Sequence, residues 1–251
     1  MARDYPTVND WLNLSSAPVT ASPLTLATWI KTVDTTSRGH FSICDGTNNN
    51  NRWTIENFND KARMVVRSTQ GSSATTGNTL TIGAWDHICA INASSTSHRI
   101  VLNADFGNDE TSTADREPSG VIDIVVGGRT DQSAGGSISS MAESAIWNVA
   151  LVDDEIEALA AGVSPDQIRP HSLVFYLKQI RDADVDQISG TKLTVNGTPV
   201  VVSHPPHITY PAGFASITVP AVAGITVPEI VAAATSFDNR PRKPSTIFLP
   251  F

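Results

Sequence analysis

The chain has 251 residues and a mass of 26.7 kDa, which at roughly 150 residues per domain allows one large β unit or one domain with an extension. Charged residues make up only 17%, and Ser and Thr together about a fifth, so neutral polar side chains dominate the surface. The net charge of −8 opposes a duplex nucleic-acid footprint. No run reaches the roughly 18 apolar residues of a membrane span, and the opening Met1–Thr7 lacks the apolar stretch of a signal peptide. These features predict a protein made in the cytosol, with neither nucleic acid nor membrane as partner.

Short β-patterned runs separated by turns fill the first 150 residues, as in a sandwich. Leu24–Lys31 places Leu24, Leu26 and Thr28 on one face and Thr25, Ala27, Trp29 and Lys31 on the other. Arg38–Cys44, Arg52–Phe58, Ala62–Ser68, Thr79–Ile82, Trp85–Ile91, His98–Asn103, Gly120–Gly127 and Ser137–Trp147 continue the series. A helix is expected over Asp153–Ala161, with Ile156, Leu159, Ala160 and Val163 as an apolar stripe on a sheet edge, Asp153 or Asp154 as cap and Gly162 as stop. Ser172–Leu177 reads as a strand, and Lys192–Val202 as a hairpin turning at Asn196-Gly197.

Prolines recur from His204 onward, which puts a boundary at about residue 203 and divides the chain into a sandwich, 1–203, and an extended arm, 204–251. The arm repeats Ile208-Thr-Tyr-Pro, Ile217-Thr-Val-Pro and Ile225-Thr-Val-Pro. In each unit the first and third residues share a face and Pro stops the ladder, so the arm must lie on its own domain or on a neighbouring chain. Ile217, Val219, Ile225 and Val227 are the expected contacts. Arg240 and Arg242 form the basic cluster of the tail, suited to an acidic protein surface or, less well, to nucleic acid. Phe248 and Phe251 are apolar anchors that a disordered tail would not favour.

The order of motifs carries a resemblance. Pro23–Lys31, Gly83-Ala-Trp-Asp-His-Ile-Cys-Ala, Arg99-Ile-Val-Leu-Asn, Ile124–Arg129 and above all Ile146–Leu159 are similar to successive motifs of the laminin-G-like, concanavalin A-like jelly-roll family, over residues 5 to 180. Val152 stands where that family has a Ser or Thr helix cap, and Ala104-Asp105 replaces its usual Gly. The resemblance implies an all-β, two-sheet antiparallel sandwich with one short helix. Pro165–Leu177, the Gly-Thr-Pro turn and the His-Pro-Pro segment resemble versions carried by tailed bacteriophages. They imply a virion structural protein, most concretely a head decoration protein on the capsid exterior, with the major capsid protein and copies of itself, in a homo-oligomer such as a trimer, for partners. The alternative is a carbohydrate-binding module of a tail fibre, with Trp53 as an exposed sugar platform, while Trp29, Trp85 and Trp147 match core positions.

Other chemistries find little footing. Retaining glycosidases need two carboxylates about 5 Å apart, whereas Glu143 is the one carboxylate of its strand and Asp153–Glu157 belong to the helix. No Gly-x-Ser-x-Gly elbow marks a nucleophile, so no enzyme and no cofactor is expected. Asp182-Ala-Asp-Val-Asp186 starts like a calcium loop, but Gln187 and Leu193 occupy the Gly and Glu positions, and a solvated turn is the better reading. Asp45, Asp105 and Asp131 are the remaining calcium candidates, with nothing in their spacing to select among them. His204 and His207 stand roughly 9 Å apart along a polyproline path, too wide for one metal. Cys44 and Cys89 sit in strand-like runs, as small buried residues would.

Overall fold

The computed structural model describes residues 2–46, 50–106, 110–112, 115–129, 136–180, 183–206 and 208–210. In chain order the strands are β1 (Ala2–Tyr5), β2 (Trp11–Leu14), β3 (Leu24–Thr32), β4 (Arg38–Cys44), β5 (Arg52–Phe58), β6 (Lys61–Arg67), β7 (Gly71–Thr79), β8 (Asp86–Ser94), β9 (Ser97–Leu102), β10 (Glu110–Ser112), β11 (Asp123–Val126) and β12 (Ser139–Trp147). Helix α1 (Asp153–Ala160) follows, then β13 (Leu173–Leu177), β14 (Thr194–Asn196) and β15 (Val200–Val202). They form two antiparallel sheets. The first runs β10-β9-β8-β3-β12-β1-β15, with β13 pairing the second half of β12, and the other runs β14-β2-β11-β4-β5-β6-β7.

Alternation in the strands builds the core. Leu24, Leu26 and Ile30 of β3, Met141 and Ile146 of β12, Phe41 and Ile43 of β4, Trp53 and Ile55 of β5, and Met64 and Val66 of β6 all enter one buried cluster between the sheets. The first sheet is buried on its outer face as well. Ala27, Cys89, Ala145 and Trp147 pack there against Leu151, Ile156 and Leu159, so β12 is buried at every residue.

The helix therefore lies on a sheet face and not, as the pattern implies, on an edge. Its cap also differs: Val152 holds the N-cap position, and its amide donates to Glu155 Oε2 at 2.9 Å. Asp153 instead reaches Arg99 Nη1 at 2.7 Å. Ile156 and Leu159 supply the buried stripe.

The expected hairpin over Lys192–Val202 is not one. β14 pairs with β2 in one sheet and β15 with β1 in the other, so Asn196-Gly197 turns the chain from sheet to sheet. Gly197 has φ +71°, and a Cβ there would lie 2.1 Å from Asp10 Oδ1; that oxygen accepts from the Thr198 amide at 2.6 Å. The close approach of the β1–β2 connection excludes any side chain.

The compact unit extends beyond residue 203, to Pro211, and Ala212–Phe251 is a second unit outside the described residues. Residues 208–210 are held: Thr209 bridges Val163 in parallel, donates its amide to the Gly162 carbonyl at 2.6 Å and accepts from the Ser164 amide at 3.3 Å. Ile208 packs on the cluster of Ala2, Trp29 and Ala142. No helix of the described residues is long and apolar enough to cross a membrane.

Candidate functional site

Two surfaces concentrate polar chemistry. The first lies where the proline-rich segment meets the outer face of the first sheet. Glu143 sits at a bulge in β12, between pairings Ala142–Trp29 and Ala145–Ala27, with φ +55° and 2% exposure. Its carboxylate accepts from the Tyr210 hydroxyl at 2.6 Å and from the Tyr176 hydroxyl, and His204 Nε2 stands 2.9 Å away. Lys178 Nζ is 5.0 Å from the Tyr210 ring and 3.4 Å from Asp166 Oδ2. Burial first, and the adjacent carboxylate second, push both phenols well above the ordinary tyrosine range, so both stay protonated and donate. Glu143 is thus a hub that ties the proline-rich segment to the sandwich. Glu143→Gln leaves one acceptor oxygen for two phenols. It should cost about 1–2 kcal/mol and speed hydrogen exchange at the Thr209 amide, both readable by thermal melts and exchange mass spectrometry.

The second surface is a groove of about 290 Å³ on the outer face of β5, β6 and β7, lined by four arginines, Arg52, Arg63, Arg67 and Arg129, and one acid, Glu56. Strand register sets the spacing: Arg52 lies opposite Arg67, Thr54 opposite Val65 and Glu56 opposite Arg63, while Gly71 and Ser73 face Arg67 and Val65 from β7. Arg63 Nε donates to Glu56 Oε1 at 2.6 Å, and Arg129 Nη1 lies 3.6 Å from Glu56 Oε2. Gly39 makes the second contact possible, because a Cβ there would lie 1.9 Å from Arg129 Cγ. The Arg63 guanidinium also stacks 3.7 Å above the Phe58 ring centroid.

The expected site residues fare differently. Trp53 is not a sugar platform: it is wholly buried between the sheets, because odd positions of β5 face the core. Ile217, Val219, Ile225, Val227, Arg240, Arg242, Phe248 and Phe251 lie outside the described residues, as do Asp131, Asp182 and His207. Within the aspartate run after β13, the described carboxylates of Asp184 and Asp186 are not solvated. Asp184 is 2% exposed and takes a fork from Arg3, Nε to Oδ1 at 3.0 Å and Nη2 to Oδ2 at 2.5 Å. Asp186, also 2% exposed, accepts from the Tyr176 and Ser189 amides at 2.9 and 3.0 Å. Both carboxylates serve as structural braces. Asp45 is buried, and Asp105 accepts from Asn78. No group of three His, Cys, Asp or Glu suited to a metal occurs among the described residues.

Cys44 and Cys89 are free, in opposite sheets. Burial pushes the Cys44 thiol up to about 12 and Cys89 higher still, so neither is a thiolate nucleophile near neutral pH. Neither Glu143 as a hub nor the arginine groove emerged from the sequence. The alternation of Arg52, Thr54 and Glu56 against Arg63, Val65 and Arg67 was the one available signal for the groove.

The family model for the concanavalin A-like lectin/glucanases superfamily matches residues 6–157. No curated protein matches the chain. Among solved structures, a native heptameric SAP-like pentraxin from Limulus polyphemus superposes with a TM-score of 0.56 at 12% identity, covering 79% of this chain and 93% of that one. A putative carbohydrate-binding protein from Bacteroides ovatus gives 0.53 at 16% identity, covering 80% of this chain and 61% of that one. Both likenesses establish the sandwich fold.

Proposed function

We propose, for a chain that belongs to the concanavalin A-like lectin/glucanases superfamily, a non-catalytic structural role in a bacteriophage virion, most concretely as a head decoration protein. In this reading the sandwich faces outward on the capsid and the region after Pro211 docks on the major capsid protein lattice and on neighbouring copies. The supporting observation is the seat of the first Ile-Thr-x-Pro unit: Ile208 on an apolar cluster, Thr209 in a main-chain bridge and Tyr210 on Glu143. The units at Ile217 and Ile225 carry the same pattern and would seat in the same manner on a neighbour. Two edge strands offer places for them, since β14 and β15 end their sheets with Val195, Val200 and Val201 exposed.

Light scattering after size exclusion tests this, on the full chain and on a chain ending at Pro211. An oligomer that becomes a monomer on truncation is the expected result; two monomers of unchanged stability would remove the assembly role from the arm.

The groove on the second sheet favours a second reading, a glycan-binding module of a host-recognition component. Its lining of guanidinium groups and hydroxyls on a rigid sheet suits sugar hydroxyls. The Bacteroides ovatus neighbour described as a putative carbohydrate-binding protein is consistent with it.

A further inference from the structure

We infer that the groove over β5–β7 takes an acidic saccharide, a carboxylate-bearing sugar of the uronate kind, with Arg67 as its anchor; this rests on the glycan reading and names its ligand class. Arg52 and Arg67 stand directly opposite one another on one face of neighbouring strands, and like charges so placed repel. Glu56 does not relieve Arg67, because its two oxygens are engaged by Arg63 and Arg129. Among the described residues the Arg67 side chain makes no hydrogen bond or ion pair, and its Nε is buried without an acceptor. A guanidinium beside a like charge and without a counter-charge is costly unless a ligand supplies one.

The space for that ligand is also present. Gly71 is the cross-strand partner of Arg67, and a Cβ there would meet nothing within 4 Å. Packing does not demand a glycine at this position, and its lack of a side chain keeps the groove open above the guanidinium. A planar carboxylate fits the terminal Nη1 and Nη2 edge of the Arg67 guanidinium bidentately. The groove spans two interstrand spacings, roughly 10 Å, which accommodates one or two sugar rings. Ser73 and the partly exposed arginine heads then meet ring hydroxyls. An acidic polypeptide shares the carboxylate but would leave these hydroxyl-binding groups unused.

Calorimetry on the full chain at low salt provides the test, with tri-galacturonate and the same trisaccharide whose carboxylates are reduced to alcohols. The expected result is binding of the acidic form at least about tenfold tighter than the neutral one, weakening at higher salt. Arg67→Gln and Arg67→Lys should each reduce that affinity about tenfold, since a lysine lacks the fork. Gly71→Leu should abolish binding by filling the groove, and thermal melts of all three variants should show the fold retained. Equal affinity for the two sugars would overturn the acidic-ligand inference while leaving the glycan reading standing. Binding of neither would overturn both. Tri-galacturonate affinity unchanged in Arg67→Gln and Gly71→Leu would place the site elsewhere, and poly-glutamate bound as tightly as the uronate would refute a saccharide ligand.

Discussion

Trp53→Ala should destabilise the sandwich by about 3–5 kcal/mol and lower its thermal midpoint by roughly 10 °C or more for a domain of this size. The side chain is among the largest fully buried ones, and its cross-strand partners Ile43 and Val66 belong to the same inter-sheet cluster. Removing it leaves a cavity across both sheets, which a rigid β framework cannot collapse to fill. Trp53→Phe should behave quite differently. Nε1 of Trp53 is buried with no hydrogen-bond partner, so phenylalanine gives up some apolar area but also removes an unsatisfied donor. The two effects offset, and the expected change is within about 1 kcal/mol. Urea titrations of the two variants, paired with glycan binding by Trp53→Phe, separate a core residue from a sugar platform. A Trp53→Ala protein of unaltered stability that has lost a bound sugar would contradict the buried placement.

The reach of sequence reasoning follows from how much each element depends on its neighbours. β3, β4, β5, β6, β8, β9, β12 and β13 are legible because they sit in the sheets with alternating or continuous apolar residues. β7 is not: Gly71–Thr79 is a run of Gly, Ser, Thr and Asn with only Ala74 in the core cluster. It forms a strand because β6 offers it a free edge. β1 has four residues, and its Arg3 is polar by pattern yet buried, because Asp184, 181 positions later, supplies the counter-charge. No local window contains that pairing. The apparent hairpin at Asn196-Gly197 fails for a related reason. Its turn chemistry is sound, but β1 and β2 lie on different sheets and each captures one arm. Glu143 is the sharpest case, since a carboxylate in an apolar strand gives no hint of the Tyr176, His204 and Tyr210 groups that converge on it from two later segments.

Acid should unfold the protein well before its carboxylates are exhausted. His40 lies wholly buried between the sheets, its Nδ1 2.8 Å from Ser137 Oγ and 3.3 Å from Ser139 Oγ. His87 is buried on the outer face against Trp29, ring centroids 5.3 Å apart, with no partner for Nδ1. Burial lowers their pKa values from 6.5 to about 4 and about 3. Both rings are neutral in the folded protein, while in the unfolded chain they take up protons below about pH 6.5. Stability from this source is therefore complete above pH 6.5 and declines as pH falls toward 4 and then 3. By pH 4 the loss is roughly 2–3 kcal/mol for each ring, a large share of the 5–15 kcal/mol of a typical domain.

Asp86 works in the opposite sense. Burial raises its carboxyl pKa, so the folded state favours its protonated form and gains stability as pH falls. Hydrogen bonds from the Asn103 side chain and the Thr81 amide lower the pKa and limit that gain. The net expectation is a urea midpoint that drops steadily between pH 6.5 and 4.5. His87→Leu, which keeps an apolar contact with Trp29 and removes one titrating ring, should flatten that decline by about half. A wild-type midpoint that stays level over the interval would mean that the two rings are protonated inside the fold, and hence that water or an unseen acceptor reaches them.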